Sequence, residues 1–165
     1  MRSGKLTIGT LSVLLTASLI FSAALWVHRE DVLSATLQGI DSAIGELQFA
    51  GYDLEQNRSA TGQRNVAYMV TQAVGQLMEA APVLGQEGYD GNAVYGFAIE
   101  LLTFTGKLEA GTESKQVLER QARALAGLPS MLSPTYRKDS AEVLGRRFLN
   151  DMANVSIRFT EDGVF

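Results

Sequence analysis

Residues 33–54 read LSATLQGIDSAIGELQFAGYDL, and the spacing of their apolar side chains decides the fold. Leu33, Leu37, Ile40, Ile44, Leu47 and Leu54 fall at steps of four, three, four, three and seven, with Gly51 at the skipped position. Steps that alternate between three and four keep side chains on one side of an α-helix, and their mean of ~3.5 is the heptad period of a coiled-coil seam. Three heptads of one seam predict a long amphipathic helix. Ala35, Gly39 and Ala43, four apart, add a stripe of small side chains that another helix can approach closely. Gly39, Gly45 and Gly51 each cost ~1 kcal/mol relative to alanine in a helix interior, so tertiary contact must hold this rod together. Its predicted interface comprises Leu33, Ala35, Leu37, Gly39, Ile40, Ala43, Ile44 and Leu47.

Upstream, residues 6–27 read LTIGTLSVLLTASLIFSAALWV, 22 positions without a charge. As a helix rising ~1.5 Å per residue they span the ~30 Å hydrocarbon layer of a bilayer. Thr7, Thr10, Ser12, Thr16, Ser18 and Ser22 are compatible with lipid because a hydroxyl can return its hydrogen bond to the carbonyl one turn earlier. Arg2 and Lys5 before the run and Ser22-Ala23-Ala24 inside it also match a cleaved secretory signal. The run nevertheless continues through Leu25, Trp26 and Val27, longer than the apolar core of a signal and with tryptophan at an interfacial position, which favours a retained anchor. Basic residues precede it and Glu30 and Asp31 follow, so the amino terminus is expected on the cytoplasmic side. The predicted organisation is a cytoplasmic N-terminus (1–5), a transmembrane helix (6–27) and a periplasmic helical domain (28–165). Between residues 26 and 56 there is no proline to interrupt the helix, so the membrane helix is expected to continue outward as a single rod. Gly9, Ser12, Thr16 and Ala23 line one side of the span with small side chains, the pattern that supports helix pairing in lipid.

Downstream, the polar segment 57–62 separates the rod from a second helix marked by Val66, Val70, Ala73, Leu77 and Leu84, with Pro82 expected to close or kink it. Residues 85–92, GQEGYDGN, read as a loop; no Lys-Ser/Thr pair makes it a phosphate cradle, and the EF-hand ligand series is missing. Asp90 or Asn92 is predicted to cap a third helix carrying Val94, Phe97, Leu101, Phe104 and Leu108. Gly111-Thr112 is expected to end it and cap a fourth with Val117, Leu118, Ala122 and Leu125. Two prolines, Pro129 and Pro134, bracket an extended connector with Met131 and Leu132 at its tip. Asp139 with Glu142 suggests a capping box before a last helix carrying Leu144, Phe148, Met152, Val155 and Phe159. No segment alternates with period two for long enough to predict a strand. The fold class is therefore all-α, a single N-terminal transmembrane helix extended into an antiparallel helical bundle outside the membrane.

Composition removes most chemistry. With no cysteine and one histidine, His28, the chain cannot build a disulfide scaffold, a thiolate metal site, a thiol nucleophile or any relay that needs two imidazoles. Asp53 with Glu55, and Glu161 with Asp162, are close in sequence but not on one helix face, and Glu100 reads as the wet side of an amphipathic helix. No enzymatic activity and no cofactor are expected. A net charge of −4 argues against a nucleic-acid partner. Residues 28–57 hold six acids against Arg29, whereas 112–147 hold seven bases against four acids, a complementarity that can orient helices or meet a charged partner. The sequons at Asn57 and Asn154 are three-residue patterns of little weight.

These features predict an accessory or scaffolding subunit of a bacterial inner-membrane complex, whose partners are the lipid bilayer and other membrane subunits, a homo-oligomer included. A cysteine-free outer domain suits the periplasm better than a eukaryotic exterior. The alternative is a periplasmic sensory or ligand-binding module: a membrane helix running into a helical bundle is similar to the outer half of chemoreceptors and sensor kinases, in architecture and without any shared residue motif.

Overall fold

The structure is a computed structural model, and it describes residues 3–111, 113–129, 143, 145–151 and 154, with the side chains of residues 3–14 excepted. Its elements are α1 (Ser3–Gln56), α2 (Ala60–Gln86), α3 (Gly91–Ala110), α4 (Lys115–Ala126) and a helical stretch at 145–151, here α5. Every element among the described residues is helical, so the fold is all-α. The chain divides into two units, 1–32 and 33–165, and α1 contributes to both.

Local signals account for the boundaries. Ser59 starts α2: its hydroxyl accepts from the Gly62 N–H at 3.1 Å and donates to Asn57 Oδ1 at 2.7 Å, so the first sequon serves as a helix-starting turn. The helix consequently begins inside the polar segment 57–62 that was expected to separate it from the rod. It also runs through Pro82 to Gln86 without closing there. Asp90 caps α3 through the Ala93 N–H at 3.1 Å, and Gly111, at φ 62°, closes it in the left-handed conformation that glycine adopts without steric penalty. The expected cap of α4 moves from Thr112 to Ser114, whose Oγ accepts from the Val117 N–H at 3.3 Å. Ser114→Ala should lower stability by ~1 kcal/mol, the usual worth of a serine N-cap, and calorimetry of the full chain in mild detergent would register it. An unchanged melting temperature would mean that the cap does not form. The capping box Asp139/Glu142 and Met131, Leu132, Leu144, Met152, Val155 and Phe159 lie outside the described residues or side chains.

The core of the second unit is built from the faces that the periodicity picks out. Leu33, Leu37, Ile40, Ile44, Leu47 and Leu54 of α1 are buried, as are Val66, Val70, Ala73, Leu77 and Leu84 of α2 and Val94, Phe97, Leu101, Phe104 and Leu108 of α3. Leu118, Ala122 and Leu125 of α4 and Phe148 and Leu149 of α5 complete it. Burying such side chains contributes on the order of 1.5–3 kcal/mol each, which outweighs the poor helix propensity of the glycines. Gly51 shows why one of those glycines is there: a Cβ on it would stand 2.6 Å from both Ala122 O and Ala126 N. At this crossing α4 packs directly on the backbone of α1. Gln48 Nε2 secures it by donating to Leu128 O at 2.7 Å.

Among the described residues no helix is long and apolar enough to cross a membrane. Residues 15–27 supply 13 positions, ~20 Å of helix, before the charged segment that starts at Arg29. The other nine positions of the uncharged run lie where side chains are not described.

Candidate interaction surfaces

In the first unit every residue from 15 to 29 is exposed, including Leu15, Leu19, Ile20, Phe21, Leu25, Trp26 and Val27 at 52–66%. At 100° per residue these seven are spread around α1, interrupted only by a narrow strip that holds Ser18, Ser22 and Arg29. A contiguous exposed apolar patch of this kind is a candidate interaction surface. Of the predicted membrane stripe, Thr16 and Ala23 are exposed on this helix, while the side chains of Gly9 and Ser12 lie outside the description.

In the second unit the predicted rod interface separates into two groups. Leu33, Leu37, Ile40, Ala43, Ile44 and Leu47 are enclosed by the domain's own helices. Ala35 is exposed and Gly39 half-buried, and both line a cleft of ~450 Å³ between α1 and α2 together with Ser42, Gln76, Glu79 and Val83. A Cβ on Gly39 would meet nothing within 4 Å. The small side chains thus leave a groove that no described residue fills. At its edge Gln76 Nε2 donates to Glu46 Oε1 at 3.1 Å, while Glu46 Oε2 and Gln76 Oε1 are buried without a hydrogen-bond partner.

A second cleft of ~500 Å³ lies between the end of α1 and the start of α4, lined by Glu55, Arg58, Gln63, Glu113 and Lys115. Its mixed charges are partly paired: Arg58 Nη1 sits 3.0 Å from Glu119 Oε1, a half-buried pair at the surface. A third, of ~550 Å³, is framed by Met78, Pro82, Tyr89, Asn92 and Tyr95, and the Arg146 guanidinium lies 5.7 Å from the Tyr89 ring centre. No group of His, Cys, Asp or Glu able to hold a metal occurs among the described residues. His28 and Glu55 are exposed, Glu100 is half-buried, and Glu161 and Asp162 lie outside the described residues.

The sequence reading overlooks one surface. Tyr95, Ile99 and Leu102 of α3 are 40–50% exposed on the side opposite the core face. The signal is present in the sequence as a second heptad-spaced run, Asn92, Tyr95, Ile99, Leu102 and Gly106. It is masked because α3 also carries the phenylalanines that fill the core, so the helix is apolar nearly all round.

No protein-family model, curated protein or solved structure matches the chain. The surfaces themselves therefore carry the functional argument.

Proposed function

We propose that the chain is an accessory or scaffolding subunit of a bacterial inner-membrane complex, anchored by its N-terminal helix with residues 28–165 in the periplasm. The observation that carries this reading is the N-terminal unit, whose described apolar side chains are exposed and spread around the helix. Joined to the uncharged residues 6–14, they make a run long enough for the hydrocarbon layer. Arg2 and Lys5 ahead of it and Glu30 and Asp31 behind it favour a cytoplasmic amino terminus.

Association outside the membrane falls to the Ala35/Gly39 groove. Its small side chains admit a helix at close range, and the negative charge of Glu46 and Glu79 at its border favours a partner that brings positive charge. Gly39→Leu tests this, since a Cβ there meets nothing within 4 Å while the longer side chain projects into the seat of a partner helix. Overpacking an interface costs ~1–3 kcal/mol, so co-purification from mild detergent should fall roughly tenfold while the variant remains folded and inserted. Retention of every partner would exclude the groove as the docking face.

A further inference from the structure

We propose that the Ala35/Gly39 groove is one end of a longer docking track, which runs on past Phe49 and Tyr68 and takes a basic amphipathic helix of a different protein subunit. The inference deepens the association reading of that groove and rests on it.

The register of α1 and α2 places the track. Three residues join the two helices, and Ala35, Gly39 and Ser42 line the groove with Val83, Glu79 and Gln76, so the helices run antiparallel. The Gln76–Glu46 hydrogen bond of 3.1 Å sets these two residues side by side. On α1, Glu46, Phe49 and Asp53 continue the row of Ala35, Gly39 and Ser42 at steps of three and four. On α2 the row of Val83, Glu79 and Gln76 continues in the same way to Gln72 and Tyr68. Counted from the Gln76–Glu46 pair, Tyr68 lies level with Leu54, about five residues or ~7.5 Å beyond Phe49 on the opposite rim.

Two features name the occupant. Phe49 and Tyr68 are 64% and 65% exposed, and aromatic rings of this kind are the side chains that most often anchor a partner. The charged residues of the two rows are Glu46, Asp53 and Glu79, all carboxylates, and none has an ion-pair partner among the described residues. Charge therefore selects a helix with lysine or arginine over that half, whereas Ala35, Gly39, Ala80 and Val83 at the other end accept small apolar side chains. From Ala35 to Asp53 the track measures ~27 Å, the length of a helix of about 18 residues.

The described residues of a second copy do not supply such a helix. The basic helix of this chain, α4, keeps Leu118, Ala122 and Leu125 in its own core and presents only its polar side, with Arg120 and Arg123, to the outside. The occupant is accordingly a helix of another protein.

Photocross-linking tests the track. Phe49 and Tyr68 are replaced in turn by photoreactive p-benzoylphenylalanine in the full chain, with the exposed Tyr95 of α3 as control, and the host's native membranes are irradiated. Sequencing of the adducts should place the Phe49 and Tyr68 cross-links in one segment of one other protein, within about two helical turns of each other and beside a lysine or arginine. Glu79→Lys, at an exposed position, should lower both adducts at least about tenfold, whereas Glu109→Lys, which reverses an exposed acid of α3, should leave them unchanged. No adduct, adducts with different proteins at the two positions, a segment without a base, cross-links between copies of this chain, the same adduct in equal yield from Tyr95, or indifference to Glu79→Lys each overturn the track. Gly39→Leu separates it from the reading on which it rests. If that variant loses its partner while Phe49 and Tyr68 share no adduct, the groove stands and its extension falls; if it keeps every partner, both fall.

Discussion

Arginine in place of both Leu15 and Leu19 is expected to release the full chain from membranes into the alkaline-carbonate supernatant, whereas the wild type stays in the pellet. Both positions lie near the middle of the uncharged run 6–27, and both side chains are exposed, so the substitutions remove no core contact. An arginine at the centre of a spanning helix costs ~2.5–3.5 kcal/mol, and two of them shift the insertion equilibrium by about 10⁴-fold. The helical content of the domain should be unchanged, which separates loss of anchoring from loss of folding. The mass of the wild-type chain extracted from the pellet discriminates further: a retained anchor gives a protein that still contains residues 6–27. A mature chain starting near Leu25, or a double-arginine variant that pellets like the wild type, would remove the anchor from the account.

The second large effect is expected at Gly51. Gly51→Ala should cost roughly 2–3 kcal/mol, and Gly51→Leu should prevent the domain from folding. The alanine Cβ would sit 2.6 Å from two backbone atoms of α4 and 3.0 Å from Leu125 Cβ. Backbone cannot rotate out of the way as a side chain can, so α1 and α4 would have to separate, opening the contacts around Leu54 and Leu125. Gly45→Ala makes the opposite expectation with the same chemistry: nothing lies within 4 Å, and the better helix former should stabilise by ~0.5–1 kcal/mol. The two alanine variants should therefore melt roughly 10 °C apart when thermal unfolding of the full chain is followed by circular dichroism in mild detergent. Coincident curves would show that the close crossing is not formed.

These two glycines illustrate what periodicity conveys and what it does not. Steps of three and four identified the buried faces of α1, α2 and α3 down to Leu54, Leu84 and Leu108, because a helix has one way to bury a stripe of leucines and phenylalanines. The caps were less legible. Ser59, Asp90 and Ser114 start helices where turn formers cluster, and a serine, a threonine and an aspartate a residue or two apart are near-equal candidates until the backbone geometry selects one. Of the two effects expected of Pro82, closing or kinking, it does not close α2, which continues four residues beyond it to Gln86.

By itself the sequence determined the all-α class, the order of the helices and the residues that point inward, along with an uncharged N-terminal run bracketed by charges. These are local properties, set by spacing along one chain. Tertiary structure alone decided that six of the eight predicted interface residues of α1 are used by the domain itself, leaving Ala35 and Gly39 at an open groove. It likewise decided that Gly51 is a backbone contact while Gly39 and Gly45 face free space, and that α3 presents a second apolar face to the outside. The physical reason is common to all three: whether a stripe is covered depends on how many neighbours reach it, and the number and approach of neighbours is a property of the packed bundle that spacing along one helix does not encode.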